Sequence, residues 1–147
     1  MIYLLDTDCL IFMLRGGRSS ARRRPREQAI TLEDNCRRVQ AAGDTIGLSA
    51  VTVSELEFGA RLSGRYDEEM AAVRQVLTPF RLYDYDAVQC PPYYGNIRQE
   101  LESSGQVIGS EDLLIAAHAM ALKAVLVTNN DAHFRRVSAL DVVNWLK

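Results

Sequence analysis

Short apolar runs alternate with longer stretches of helical spacing along the whole chain. Ile2–Leu5, Ile46–Ser49, Phe80–Tyr83, Ala124–Thr128 and Val142–Trp145 are runs bounded by polar or turn residues, and each predicts a strand. Between them, Leu10–Leu14, Pro25–Ala42, Val53–Leu62, Asp67–Leu77, Pro92–Ser103 and Glu111–Leu122 carry the apolar spacing or the caps of helices, with Pro92 suited to a first helical turn. Such alternation predicts βαβ units around a parallel sheet, whose ligands bind beyond the carboxyl ends of the strands where the strand order reverses. Residues 16–28, GGRSSARRRPREQ, have no periodicity and predict a mobile loop before a helix starting near Pro25.

Composition narrows this picture. A length of 147 residues with 48% hydrophobic positions and a net charge of −2 fits one soluble domain able to bury its own core. Three cysteines, at 9, 36 and 90, have no CxxC spacing, which argues against a disulfide framework or a thiolate zinc site. The opening MIYLL is broken by Asp6 and Asp8 and never approaches the roughly 20 apolar residues of a membrane span, so a cytosolic protein is expected. Charge is uneven: residues 15–38 hold eight arginines against three acids, a net +5, which leaves −7 for the rest. A basic patch of this kind can attract a polyanion locally, because exposed charges are screened beyond about 10 Å. Arg22, Arg23 and Arg24 are its centre, as candidate contacts to a polyanion or as a merely solvated face.

Four acids fall where the sheet should bind its ligand. Asp6 directly follows the first strand, Glu55 lies on the first turn of the helix after the second, Asp112 opens the helix before the fourth, and Asp131 follows the fourth in VTNND. Gathered carboxylates repel one another unless a cation or protonation relieves them. A hard divalent ion such as Mg²⁺ suits a sparse oxygen pocket, where it can polarise a phosphoryl oxygen and activate water, so phosphodiester hydrolysis follows. Thr7 and Thr128 are placed to orient these carboxylates, and Asp8 to support them. Singly, Asp131 reads as a turn residue, Glu55 as an exposed helix residue like Glu57, and Asp112 as a first-turn acid complementing the helix dipole. The apolar flank of Asp6 and the nearby Asp8 favour a site over a turn, and the shared location is what raises all four. His118, six positions after Asp112, is read as structural; it and His133 form no HExxH or HxH pair. No GxSxG, GxGxxG or GxxxxGK[ST] motif is present.

LLDTDCLIFML, LSAVTVSELEFGA and IGSEDLLIAAHAMALKAVLVTNNDAHFRRVSALDVVNW together resemble the PIN domain, specifically the VapC-type toxins of toxin–antitoxin pairs. The resemblance implies a three-layer α/β/α sandwich with a mainly parallel five-stranded sheet. It also implies an endoribonuclease that uses Mg²⁺, or Mn²⁺ in its place, to cleave RNA by metal-activated water. Its implied partners are an RNA substrate, a VapB-type antitoxin, a second copy in a homodimer, and operator DNA only through the antitoxin. By position, Asp6, Glu55 and Asp112 match the family's first three acids, with Asp6 and Asp112 as the principal metal ligands. The fourth acid of relatives often sits where this chain has His133, so Asp131 is expected to substitute for it. Asp8 stands where many relatives have Asn.

Two other readings compete. A haloacid-dehalogenase-type phosphatase would use Asp6-Thr7-Asp8 and Thr128, but no downstream Lys followed by a terminal acidic pair is found, and the chain leaves little room for a cap. A catalytically inactive PIN module that only binds RNA or a partner has no need to retain all four acids.

Overall fold

The computed structural model describes residues 1–147. In chain order the elements are β1 (Ile2–Leu5), α1 (Thr7–Gly16), α2 (Arg23–Ala41), β2 (Thr45–Ser49), α3 (Ala50–Leu62), α4 (Tyr66–Leu77), β3 (Arg81–Tyr83), α5 (Cys90–Ser103), α6 (Ser110–Ala121), β4 (Val125–Val127), α7 (Asp131–Phe134) and β5 (Val142–Val143). All strand pairs are parallel, in the order β3-β2-β1-β4-β5. The strand order therefore reverses between β1 and β4, the place at whose carboxyl ends open α/β sheets bind their ligands.

Alternation along the strands divides the core in two. Leu4 and its register partner Leu126 face α5, α6 and α7, within a cluster that includes Ile97, Ile115 and Phe134. Leu5 and Val127, the next register pair, face α1 to α4 and pack with Leu10, Leu32, Ile46 and Leu56. Successive side chains on a strand point to opposite faces, so one sheet supports two apolar layers and the result is the α/β/α sandwich. Gly16 permits the close approach of α1 to α2, since a Cβ there would run into the Pro25 carbonyl and the Ala29 side chain. All three cysteines are buried and unbridged, and no helix is long and apolar enough to cross a membrane.

Several boundaries differ from those expected, each for a local reason. Asp6 caps α1 immediately, so the helix starts at Thr7, and Thr7 and Asp8 lie in its first turn. Ser49 caps α3 by accepting from the Val51 amide at 3.1 Å, which starts that helix at Ala50 and moves Glu55 from the first turn to the second. The loop expected over 16–28 is shorter. Helix α2 begins at Arg23, because Pro25 in its first turn lacks only an amide that would have no intrahelical partner, and Arg23 pairs with Glu27 at 2.9 Å one turn on. Residues 18–21 are themselves tied down: Arg18 forks onto Glu69 at 3.0 and 3.1 Å, and Arg26 reaches the carbonyls of Ser19 and Ala21. The one-turn helix α7 has no sequence counterpart, and β5 stops at Val143 because Asn144 turns its side chain to cap the tail.

Candidate active site

The carboxyl ends of β1 and β4 and the amino ends of α1, α3 and α6 meet at one edge of the sheet. Helix amino ends carry partial positive charge, so acids are tolerated there that would repel one another elsewhere. Asp6 is 6% exposed and its carboxylate is fixed at both oxygens: the Thr7 amide donates to Oδ1 and the Thr128 hydroxyl to Oδ2, each at 2.8 Å. Asp8, half-buried one residue into α1, accepts from the Asn129 amide at 3.2 Å. Thr128 and Asn129 follow β4, so the two strands at the switch point each contribute one side of the arrangement.

Glu55 enters from α3. The Thr7 hydroxyl donates to its Oε1 at 2.8 Å and lies 3.0 Å from the hydroxyl of the fully buried Thr52. Thr52 and Glu55 are three residues apart and share a helix face, which is why both reach Thr7. Asp112, in the first turn of α6, lies with its Oδ2 3.4 Å from Nε2 of His133 on α7.

Electrostatics sets this group apart. Burial, then the charge of Asp8, pushes the Asp6 carboxyl up to about 7 against the opposing hydrogen bonds of Thr128 and Thr7, with a smaller contribution from Asp112. Burial likewise raises Asp8, Glu55 and Asp112, opposed by the Asn129 amide, the Thr7 hydroxyl and the charge of His133 respectively. No Lys or Arg is ion-paired to any of the four.

Asp131 does not join them. Expected to complete the pocket, it turns to the C-terminal tail: Asn144 donates to it at 2.9 Å, Lys147 reaches it at 3.2 Å and Arg135 at 3.6 Å. The Asn144 hydrogen bond is the largest of the influences that hold its carboxyl down at about 2. It makes no polar contact with Asp6, Asp8, Glu55 or Asp112. The same knot steadies the site from behind, since Asn144 also reaches the carbonyl of Asn129, at 3.4 Å.

Thr52, Asn129 and Asn144 carry no motif that singles them out along the chain. Thr52 was accessible from its spacing to Glu55, whereas nothing local marks Asn129 or Asn144. His118 is buried in α6, with Nδ1 2.7 Å from the Ser49 hydroxyl and the ring edge-on to Tyr83 and Tyr85, which agrees with a structural role. Arg22, Arg23 and Arg24 are exposed at the start of α2, with Arg23 partly occupied by Glu27.

The donor set suits a hard divalent cation. It consists of carboxylates without cationic partners, their proton affinity raised, beside hydroxyls that hold them in place. It is not a closed cage, because no three His, Cys, Asp or Glu side chains converge on one point. An ion bound by few protein groups, with water and substrate phosphate as the remaining ligands, has this requirement.

The PIN domain model matches residues 3–140. Over its full length the chain is 35% identical to Ribonuclease VapC2 of Rickettsia felis, covering all of both proteins. It is 30% identical over 143 residues to the tRNA(fMet)-specific endonuclease VapC of Shigella flexneri, covering 97% of each. The fold superimposes with a TM-score of 0.85 and 32% identity on a chain of the crystal structure of VapBC2 from Rickettsia felis bound to a DNA fragment from their promoter, covering 99% of both chains. The chain belongs to the PIN-domain family. Within that family it is of the VapC type, which sets aside the phosphatase reading.

Proposed function

We propose that this protein is a metal-dependent endoribonuclease, the toxin of a toxin–antitoxin pair, which hydrolyses RNA phosphodiester bonds in the pocket of Asp6, Asp8, Glu55 and Asp112. The observation that carries the proposal is the gathering of these acids at the β1/β4 switch point without any Lys or Arg to neutralise them. A Mg²⁺ or Mn²⁺ ion held by Asp6 and Asp112 would polarise a phosphoryl oxygen and lower the pKa of water beside it. The chain's own contribution is positioning. Thr7 and Thr128 lock both oxygens of Asp6, the Asn129 amide holds Asp8, and the Thr7 hydroxyl occupies Oε1 of Glu55. Oε2 of Glu55 is left to take up a proton or serve as a further oxygen ligand.

RNA is the substrate in this reading, supported by the names of the relatives, and the Shigella relative makes tRNA(fMet) the first RNA to test. A VapB-type antitoxin is the partner, supported by the Rickettsia complex, and operator DNA would be reached through it. A homodimer belongs to the same reading. The test is to map the 5′ ends of RNA cleaved by the purified protein with Mg²⁺, before and after chelation. Discrete cuts leaving 5′-phosphate and 3′-hydroxyl ends, lost in EDTA and restored by metal, are expected. Full activity in excess EDTA would overturn the mechanism.

A further inference from the structure

His133 is the one side chain with a nitrogen donor atom that contacts the acid pocket. Its Nε2 lies 3.4 Å from Oδ2 of Asp112, and both side chains are half-open to solvent, at 26% and 34% exposure. That separation is longer than a well-formed N–H···O hydrogen bond, about 2.7–3.2 Å, so the pair does not satisfy itself. It is close to the spacing of two ligands on one ion: donors each about 2.1 Å from a cation and at right angles lie about 3.0 Å apart.

The position of His133 is also fixed. The neighbouring Phe134 is fully buried in the core and meets the imidazole edge-on, with ring centroids 6.1 Å apart. Asp131, two residues earlier, is tied to Asn144 and Lys147. The α7 turn is thus anchored on both sides of the histidine, and the ring is presented to α6 without a large entropy cost on binding.

We propose that His133 and Asp112 ligate one divalent cation together, giving the pocket a mixed nitrogen and oxygen donor set. This rests on the metal-dependent reading above. Imidazole adds little for Mg²⁺ and considerably more for transition ions, so the assignment makes the site selective for ions such as Mn²⁺ or Zn²⁺ over Mg²⁺. Nothing about it requires turnover, so binding alone can test it.

The chain has only two histidines, and His118 is buried against Ser49, which makes it an internal reference. Full-length protein, ¹⁵N-labelled at histidine, is titrated with Zn²⁺ as a diamagnetic probe while the ring nitrogens are followed by NMR. The expected result is a saturable shift of a His133 ring nitrogen with His118 unmoved. Calorimetric titration then compares wild type with His133→Gln and His133→Ala. Both should weaken Zn²⁺ and Mn²⁺ at least about tenfold and change Mg²⁺ less than about threefold. Saturable binding with no shift at His133, or affinities indifferent to both variants, overturns the assignment and leaves the metal-dependent nuclease standing. No saturable binding of any of the three ions overturns both.

Discussion

Asp6 and Asp131 are both buried acids at the ends of neighbouring strands of one sheet, yet their proton affinities are displaced in opposite directions. Burial is the main influence on Asp6, the charge of Asp8 and to a smaller degree that of Asp112 add to it, and only hydroxyl and amide donors with no cation oppose them, so its carboxyl rises to about 7. Asp131 accepts from the Asn144 amide first and the Lys147 ammonium second, and falls to about 2. Burial of an acid therefore does not by itself mark a reactive site. The mark is burial left uncompensated, which an arriving cation relieves.

The largest expected effect is on cleavage. Asp6→Asn and Asp112→Asn keep the side-chain shape and remove the charge, and each should lower the cleavage rate at least about a hundredfold at a temperature where all variants are folded. Asp131→Asn should stay within several-fold of wild type under the same assay. An equal loss from Asp131→Asn would place that carboxylate in the pocket and erase the contrast.

Stability against pH separates the two acids next. Asp6 binds its proton more tightly folded, at about 7, than its ordinary 3.8, so the metal-free protein loses stability as pH rises from about 4 through 7. Asp6→Asn should therefore melt higher than wild type at pH 7.5 without metal, with no advantage at pH 4. Asp131, held at about 2, contributes fully above about 4 and less as pH falls towards 2. Asp131→Asn should melt lower at pH 7, with the gap closing below pH 4. Thermal melts by circular dichroism decide both signs.

A smaller effect is expected behind Glu55. Thr52→Val removes one hydroxyl from the Thr7 pair but leaves the Thr7–Glu55 hydrogen bond, so it should cost about 1 kcal/mol in denaturant unfolding. It should also slow cleavage a few-fold, and Thr52→Ser should recover both. A neutral Thr52→Val would show that Thr7 holds Glu55 unaided. Smallest is the basic patch. Replacing Arg22, Arg23 and Arg24 by Gln should leave the melting temperature nearly unchanged, because their only ion pair is the exposed one to Glu27. In metal-free Asp6→Asn protein it should flatten the log–log salt dependence of RNA binding by about 0.7 for every phosphate that is no longer neutralised. An unchanged slope with unchanged antitoxin affinity would assign the three arginines to solvent.

Elements whose signal is local are legible in the order of the residues. Five apolar runs became five strands with boundaries shifted by only a few residues; central β1 and β4, packed on both faces, must be apolar throughout, whereas the edge strand β3 is largely exposed. Asp6, Glu55 and Asp112 were legible for a related reason: in an alternating α/β chain, strand ends and helix starts are set by topology, and acids at those points share one edge. The direction in which each acid points, and what meets it, is set by the packing of separate elements. Asp131 lies near the end of β4 much as Asp6 lies near the end of β1, and no local pattern distinguishes them. What separates them is Asn144 and Lys147, thirteen and sixteen residues further on, which reach Asp131 only after β5 has paired beside β4. The encounter of His133 with Asp112 across 21 residues has the same origin. Periodicity reports which face of an element is buried, whereas the partner of a buried charge depends on how separate elements pack, and that is not written in any one segment.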